Sequence, residues 1–385
     1  MIRGTQQTGN APGVQPQFAN TQPSNAQQVS WRVATDRKTQ ISRTDTYALG
    51  AVGQPVSWPL DGTGFLEAID IDVNVVGANG GGAAVAFNPD AIWNVLTNIT
   101  LKANGPEIFN LSGFDCHLWD LYGGFGILDP AGSVDPLVYA AIVGAGATGG
   151  SFRAKFRLPL SINGRSLIGA VGNQDRSTKY ELRTDLADLA TIYATAPSAG
   201  ATATITRTLL YSTVPASVNA NGQQQQILPP WYGVFHYANV LTSEAQPSTL
   251  STQNHFVRGL GNTFRVLILE FYDSLGARSD LLMPNNIQFK IGQDAWFSET
   301  ADERRFEMFK RYGFDAPAGV LVYDWLDDFG AWVGSEYGND WMNTAKVSEA
   351  QFQLAYPVFV NTPGQLRIIQ DSLAIPAGMN LLQYT

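Results

Sequence analysis

The chain has 385 residues, a net charge of −9 and only 15% charged side chains. At roughly 150 residues per domain it holds two or three domains. The acidic balance excludes a general nucleic-acid binder, because phosphates would repel it, and the single cysteine, Cys116, excludes an intrachain disulfide framework.

No run reaches the roughly 18 apolar residues needed for a membrane-spanning helix. The start, MIRGTQQTGN, has no apolar h-region. Both observations point to synthesis and folding in a reducing cytoplasm. The low charge leaves a bland surface, rich in Gly, Ala, Ser, Thr, Asn and Gln, that suits burial against other copies of the chain.

Residues 1–44 are polar and bear glycine and proline. Isolated apolar residues such as Val14, Phe18 and Trp31 follow no period, so the segment reads as a flexible arm unable to bury a core of its own. It carries Arg3, Arg32, Arg37, Lys38 and Arg43 against Asp36 alone, a net +4, which leaves −13 on the remainder. Arg32, Arg37, Lys38 and Arg43 are the candidate residues for contact with a membrane or a neighbouring subunit.

From Phe65 the pattern changes to alternation. Phe65, Ile69, Ile71, Val73 and Val75 share one face with the lone acid Glu67, while Ala68, Asp70, Asp72 and Asn74 take the other, which argues a half-buried strand. The glycine-rich stretch 77–82 reads as a loop. IWNVLTNITLKA reads as a strand, and SGFDCHLWDLYGG as a short helix closed by Gly123. SFRAKFRLPLSI, KYELRTDL and TATITRTLLYS continue the strands, with AGATGG, INGR and APSAG as turns.

VNANGQQQQILPP is a polar link to a second series. There WYGVFHYANV, NTFRVLILEFYDS and NIQFKIG read as strands. TADERRFEMFKRYGF reads as the best helix, with Thr300 and Glu303 as a capping box and Gly313 as a left-handed stop. GVLVYDWL, SEAQFQLAYPVFV and QLRIIQDSL read as strands. The two series share an offset of 188 residues: Asn98-Ile99 and Leu101-Lys102 match Asn286-Ile287 and Phe289-Lys290, and Phe109 matches Phe297. The same order of strand, turn, helix and strand around both places argues an internal duplication. Many strands with few helices indicate two sandwiches side by side. The domain boundaries expected are 1–44 for the arm, 45–216 for the first sandwich, 217–226 for the linker and 227–385 for the second.

Chemistry is not evident. His117, His236 and His255 lie in no ligand spacing, so neither metal nor cofactor is expected. The DIDVN run at Asp70, Asp72 and Asn74 has Val75 where a calcium loop needs glycine. Asp324, Asp327 and Asp328 form an acidic cluster that two-carboxylate hydrolysis could use, but exposed loop acids are far commoner. The aromatics Trp231, Tyr232, Phe235 and Tyr237, and Trp325, Phe329 and Trp332, read as core or interface residues.

Three stretches carry a resemblance to a known family: the polar Gln-rich start, SGFDCHLWDLYGGFG, and ERRFEMFKRYGFDAPAGVLVYDW. In the order of these features the chain resembles the double jelly-roll major capsid proteins of the tectivirus type, from icosahedral phages with an internal membrane. The resemblance runs from about Phe65 to Thr385. It implies an all-β fold of two tandem eight-stranded jelly rolls with short inserted helices and no enzymatic site. It implies a homotrimer of pseudo-hexagonal outline that meets neighbouring capsomers and minor capsid proteins. Virion assembly in the host cytoplasm is implied as well, with peripheral contact to the internal membrane and none to nucleic acid. The competing reading is a carbohydrate-binding or glycan-processing double β-sandwich protein.

Overall fold

The computed structural model describes residues 31–50, 52–79, 84–124, 146–162, 167–174, 179–218, 221–223, 227–326, 341–359 and 362–375. The first series contributes β1 (Arg37–Leu49), β2 (Gln54–Pro59), β3 (Phe65–Gly77), β4 (Leu96–Ala103), β5 (Glu107–Leu111), helix α1 (Gly113–Tyr122), β6 (Phe152–Pro159), β7 (Tyr180–Leu186) and β8 (Ala201–Ser212). The second contributes β9 (Phe235–Ala245), β10 (Ser251–Phe256), β11 (Thr263–Asp273), β12 (Asn286–Ile291), β13 (Asp294–Glu299), helix α2 (Ala301–Tyr312), β14 (Val320–Asp324), β15 (Ala350–Tyr356) and β16 (Pro363–Ala374). A few two- and three-residue strands decorate these.

In the first series the sheet orders are β1-β8-β3-β6 and β2-β7-β4-β5; in the second they are β9-β16-β11-β14 and β10-β15-β12-β13. Each series is therefore an eight-stranded jelly roll of two four-stranded sheets, and the strand order of the second repeats that of the first. The rolls are joined edge to edge. β5 pairs with β9 in parallel, Phe109 opposite Ala238 and Asn110 opposite Asn239, so one continuous sheet runs through both rolls.

The duplication extends to the ladder register. Ile99 faces Leu111 and Leu101 faces Phe109 across β4 and β5; Ile287 faces Glu299 and Phe289 faces Phe297 across β12 and β13. All four pairs keep the offset of 188. It continues into the helix caps: Ser112 and Asp115 form a capping box on α1, Thr300 and Glu303 on α2. Each box satisfies two otherwise orphaned backbone donors. At the far ends the helices differ. Gly313 takes the left-handed conformation at φ 78, as expected, whereas Gly123 sits at φ −81 and it is Gly124 that turns left-handed at φ 79.

β3 shows why alternation predicted a strand. Ile69, Ile71, Val73 and Val75 are buried, while Asp70 and Asp72 on the other face pair with Arg157 and Arg153 of β6. Such partly exposed pairs contribute about 0–1 kcal/mol each; the buried face carries the stability, at roughly 25 cal/mol per Å².

Three expectations are corrected. Arg37–Leu49 is strand β1, paired antiparallel along Ala201–Ser212, so the first roll begins inside the segment read as an arm. As an edge strand exposed along most of its length, β1 needs no apolar alternation, and its polar sequence hid it. Trp31, one of the unpatterned apolar residues, is buried and packs edge-on against Phe65, which in turn meets Tyr232 ahead of the second roll. Third, the IWNV part of IWNVLTNITLKA is a helical turn, Ala91–Asn94, with the Trp93 and Asn94 amides donating to Asp90 O; the strand starts only at Leu96. The apolar run is continuous across the junction, so periodicity could not divide it. The loop 80–82 and parts of the linker 217–226 lie outside the described residues.

Candidate functional site

The most elaborate polar chemistry lies in the seam between the rolls. The register of the second roll builds it. Asp371 of β16 sits opposite Ala238 and Val266, and Arg367 opposite Glu270, so these side chains leave one face of the sheet. A bulge at Arg265, between Phe264 and Val266, adds Arg265 to that face. Helix α1 of the first roll lies against it. α1 is buried nearly all round, with Phe114, Asp115, Cys116, Leu118, Trp119 and Tyr122 all covered, as befits a helix with packing on opposite sides. Gly113 permits its entry: a Cβ there would come within 2.1 Å of Trp93 O.

Asp371 is the hub. It accepts from Trp119 Nε1 at 2.9 Å and from Arg265 Nη1 at 2.5 Å, and His236 Nε2 lies 2.7 Å away. His236 Nδ1 reaches Pro159 O at 2.7 Å, and Arg265 Nη2 donates to Gly123 O at 3.1 Å. Trp119, Gly123 and Pro159 belong to the first roll, the others to the second. Burial pulls the Asp371 carboxyl upward, but Arg265 and His236 beside it hold it below its ordinary value.

A second group lies further along α1. Arg367 Nη2 donates to Asp115 Oδ2 at 2.6 Å, and Arg367 Nη1 is 3.3 Å from Glu270 Oε2. Tyr272 donates its hydroxyl to Glu270 Oε1 at 3.1 Å. Arg278 pairs with Asp90 at 2.6 Å and lies over the Phe114 ring. His117 stacks on Trp93, and its burial, with Arg278 second, pushes its pKa down to about 4. Burial raises the Cys116 thiol well above its ordinary value, so the lone cysteine is an inert packing residue.

Asp324, the described member of the acidic cluster, is locked. Arg311 lies 2.5 Å from it, Arg304 at 4.0 Å, and the Tyr312 hydroxyl donates to it. A carboxylate so engaged is no free general acid. Asp327, Asp328, Phe329 and Trp332 lie outside the described residues. Among the described residues no group of His, Cys, Asp and Glu is placed to hold a metal ion, and no helix is long and apolar enough to cross a membrane.

The four candidate cations of the N-terminal segment do not form one patch. Arg32 and Arg37 converge on the buried Glu67, at 3.3 and 3.1 Å, and Arg32 also donates to Ser212 Oγ. Lys38 faces Asp36 at 3.6 Å, and Arg43 lies 2.9 Å from Asp45. Glu67, the odd acid on the apolar face of β3, is thereby explained. The seam residues went unread in the sequence, although Arg265 and Glu270 inside the apolar run TFRVLILEF were a usable signal: charges within a strand buried on both faces must find partners.

No protein-family model matches the chain, and no curated protein matches its sequence. Solved structures do match its fold. The major capsid protein of Sulfolobus turreted icosahedral virus is similar with a TM-score of 0.62 at 14% identity, over 89% of this chain and 97% of that one. This chain is a double jelly roll. Two further double jelly rolls agree: a chain of the PBCV-1 virus capsid (TM-score 0.56, 13% identity, 91% and 97% covered) and the major capsid protein of bacteriophage PM2 (0.52, 10%, 89% and 98%). The double jelly roll expected from the resemblance is thus the fold observed, and nearly the whole length of each relative is represented.

Proposed function

We propose that this chain is the major capsid protein of an icosahedral virion. One observation carries the reading: two complete jelly rolls fused through a shared sheet, superposing on 97% of a known viral major capsid protein. Two similar rolls per chain give six similar lobes in a homotrimer, so a threefold capsomer presents a nearly hexagonal outline and tiles a shell. The low charge and the exposed Phe306, Phe309 and Trp296 fit a protein that buries its surface against copies, adjacent capsomers and minor capsid proteins. Its role is structural rather than enzymatic, in a virion capsid assembled in host cytoplasm. The carbohydrate-active alternative is not favoured: Asp324, the described member of its acidic cluster, is held in ion pairs.

Electron microscopy and sedimentation of the purified chain test this directly. The expected result is a stable trimer of pseudo-hexagonal outline burying well above the ~1,600 Å² of a standard contact. A monomer at micromolar concentration overturns the trimer.

Contact with an internal membrane belongs to the same proposal. Lys38 and Arg43 are exposed, but each stands beside an acid of its own chain. Any attraction to anionic lipid is therefore below the ~1 kcal/mol of a free surface cation, peripheral and salt-sensitive. The double variant Lys38→Glu/Arg43→Glu should lower co-sedimentation with anionic vesicles at low salt while leaving trimers intact. Unchanged vesicle binding removes the membrane role of these residues.

A further inference from the structure

We propose that Asp115 and Glu270 share one proton and so form a pH-gated latch across the seam of the two rolls. Asp115 belongs to α1 of the first roll, Glu270 to β11 of the second, and both are fully buried. Asp115 Oδ2 accepts from the Ser112 amide at 2.8 Å and from Arg367, and Glu270 Oε1 accepts from the Tyr272 hydroxyl. Among the described residues Asp115 Oδ1 has no hydrogen-bond partner, and Glu270 Oε2 has none beyond its ion pair with Arg367 Nη1 at 3.3 Å. Two acceptors buried against one guanidinium are each costly when left unpaired. One guanidinium bridges the two carboxyls: Arg367 Nη2 is 2.6 Å from Asp115 Oδ2 and its Nη1 3.3 Å from Glu270 Oε2. One proton held between the two carboxyls supplies the donor this pair lacks.

The charges agree. Asp115 faces Glu270 from α1, Arg367 from β16, Tyr272 from β11 itself, and Arg278 from the turn that follows β11. Arg278 is matched by Asp90. With both acids ionised, Arg367 faces two carboxylates among the described residues; with the shared proton it faces one net negative charge. Tyr272 is raised above its ordinary value, by burial first and Glu270 second, so it remains a donor. The same surroundings push Glu270 up to about 8 from 4.5, burial first and Asp115 second, against Arg367 and Arg278.

The sign follows from linkage. A carboxyl raised in the folded state contributes stability that is complete below its unfolded value and is lost as pH rises through the folded one. The latch is closed in mild acid and released between about pH 5 and 8, where the opening constant grows about tenfold per pH unit. The inference rests on the seam alone and does not depend on the coat-protein reading.

Cys116, next to Asp115 on the buried helix and the single cysteine of the chain, is a built-in reporter. Thiol labelling of the full chain and of Glu270→Gln is compared at matched pH, so that the thiol's own ionisation cancels. The glutamine amide can donate to Asp115 at every pH. The labelling rate of the parent relative to the variant should climb about tenfold per unit from about pH 5 to about pH 8 and then level off. A ratio that stays constant overturns the latch. If the variant does not fold, infrared spectroscopy of the parent decides: a protonated-carboxyl band at about pH 6 that titrates away near 8 supports the proposal, and its absence overturns it.

Discussion

Asp371→Ala should destabilise the protein by about 3–5 kcal/mol, read as a large fall in the denaturant midpoint of unfolding. The substitution removes the carboxylate that accepts from Arg265 Nη1, on a guanidinium with no exposed surface. Trp119 Nε1 and His236 Nε2 lose their acceptor at the same time. Removing one partner from a buried charged network costs more than the net worth of the pair itself. Asp72→Ala is the control: it breaks the partly exposed pair with Arg153 and should cost about 0–1 kcal/mol. Asp371 also sets an acid limb. Its pKa is depressed, so its contribution is complete above the unfolded value near 3.8 and is lost as pH falls through the lower folded value. In Asp371→Ala that acid limb should shrink. Equal effects of Asp371→Ala and Asp72→Ala would show that the seam does not hold the rolls together.

Phe289→Ala should cost about 3–5 kcal/mol through the cavity it leaves. Phe289 is fully buried on β12, stacked on Phe297 at 5.5 Å between ring centroids and packed against Phe352 at 4.9 Å and Trp325 at 5.9 Å. Its counterpart in the first roll is Leu101, which is equally buried and faces Phe109 as Phe289 faces Phe297. Leu101→Ala should cost about 2–5 kcal/mol, the lower end reflecting a smaller cavity. Calorimetry of both variants checks the pair. A loss below about 1 kcal/mol at either site contradicts its place at the centre of a roll.

The two seam clusters and the two roll cores play different parts. The cores make each roll stable; the clusters fix how one roll sits on the other. Apolar surfaces alone specify that angle weakly, because they are tolerant of sliding. A hub that engages Trp119, His236 and Arg265 together tolerates little displacement, since any shift stretches several buried hydrogen bonds at once.

Sequence alone determined whatever depends on neighbours along the chain. The alternation of Ile69, Ile71, Val73 and Val75 specified a strand and its buried face, because side chains alternate across a pleated backbone. Thr300, Glu303 and Gly313 specified both ends of α2, because capping uses donors within one turn. The 188-residue offset from Asn98 to Asn286 located equivalent strands, since a duplicated chain repeats its local pattern. Tertiary structure alone decided the rest. β1 became a strand only because Ala201–Ser212 offered it an edge, and its polar residues carried no apolar period to announce this. Arg32 and Arg37 became partners of Glu67 instead of free surface cations. The seam joined Trp119 to Asp371 across 252 positions of the chain. A partner's sequence distance leaves no periodic trace; its identity is set by strand register, one bulge and the approach of a helix, which exist only in the folded chain.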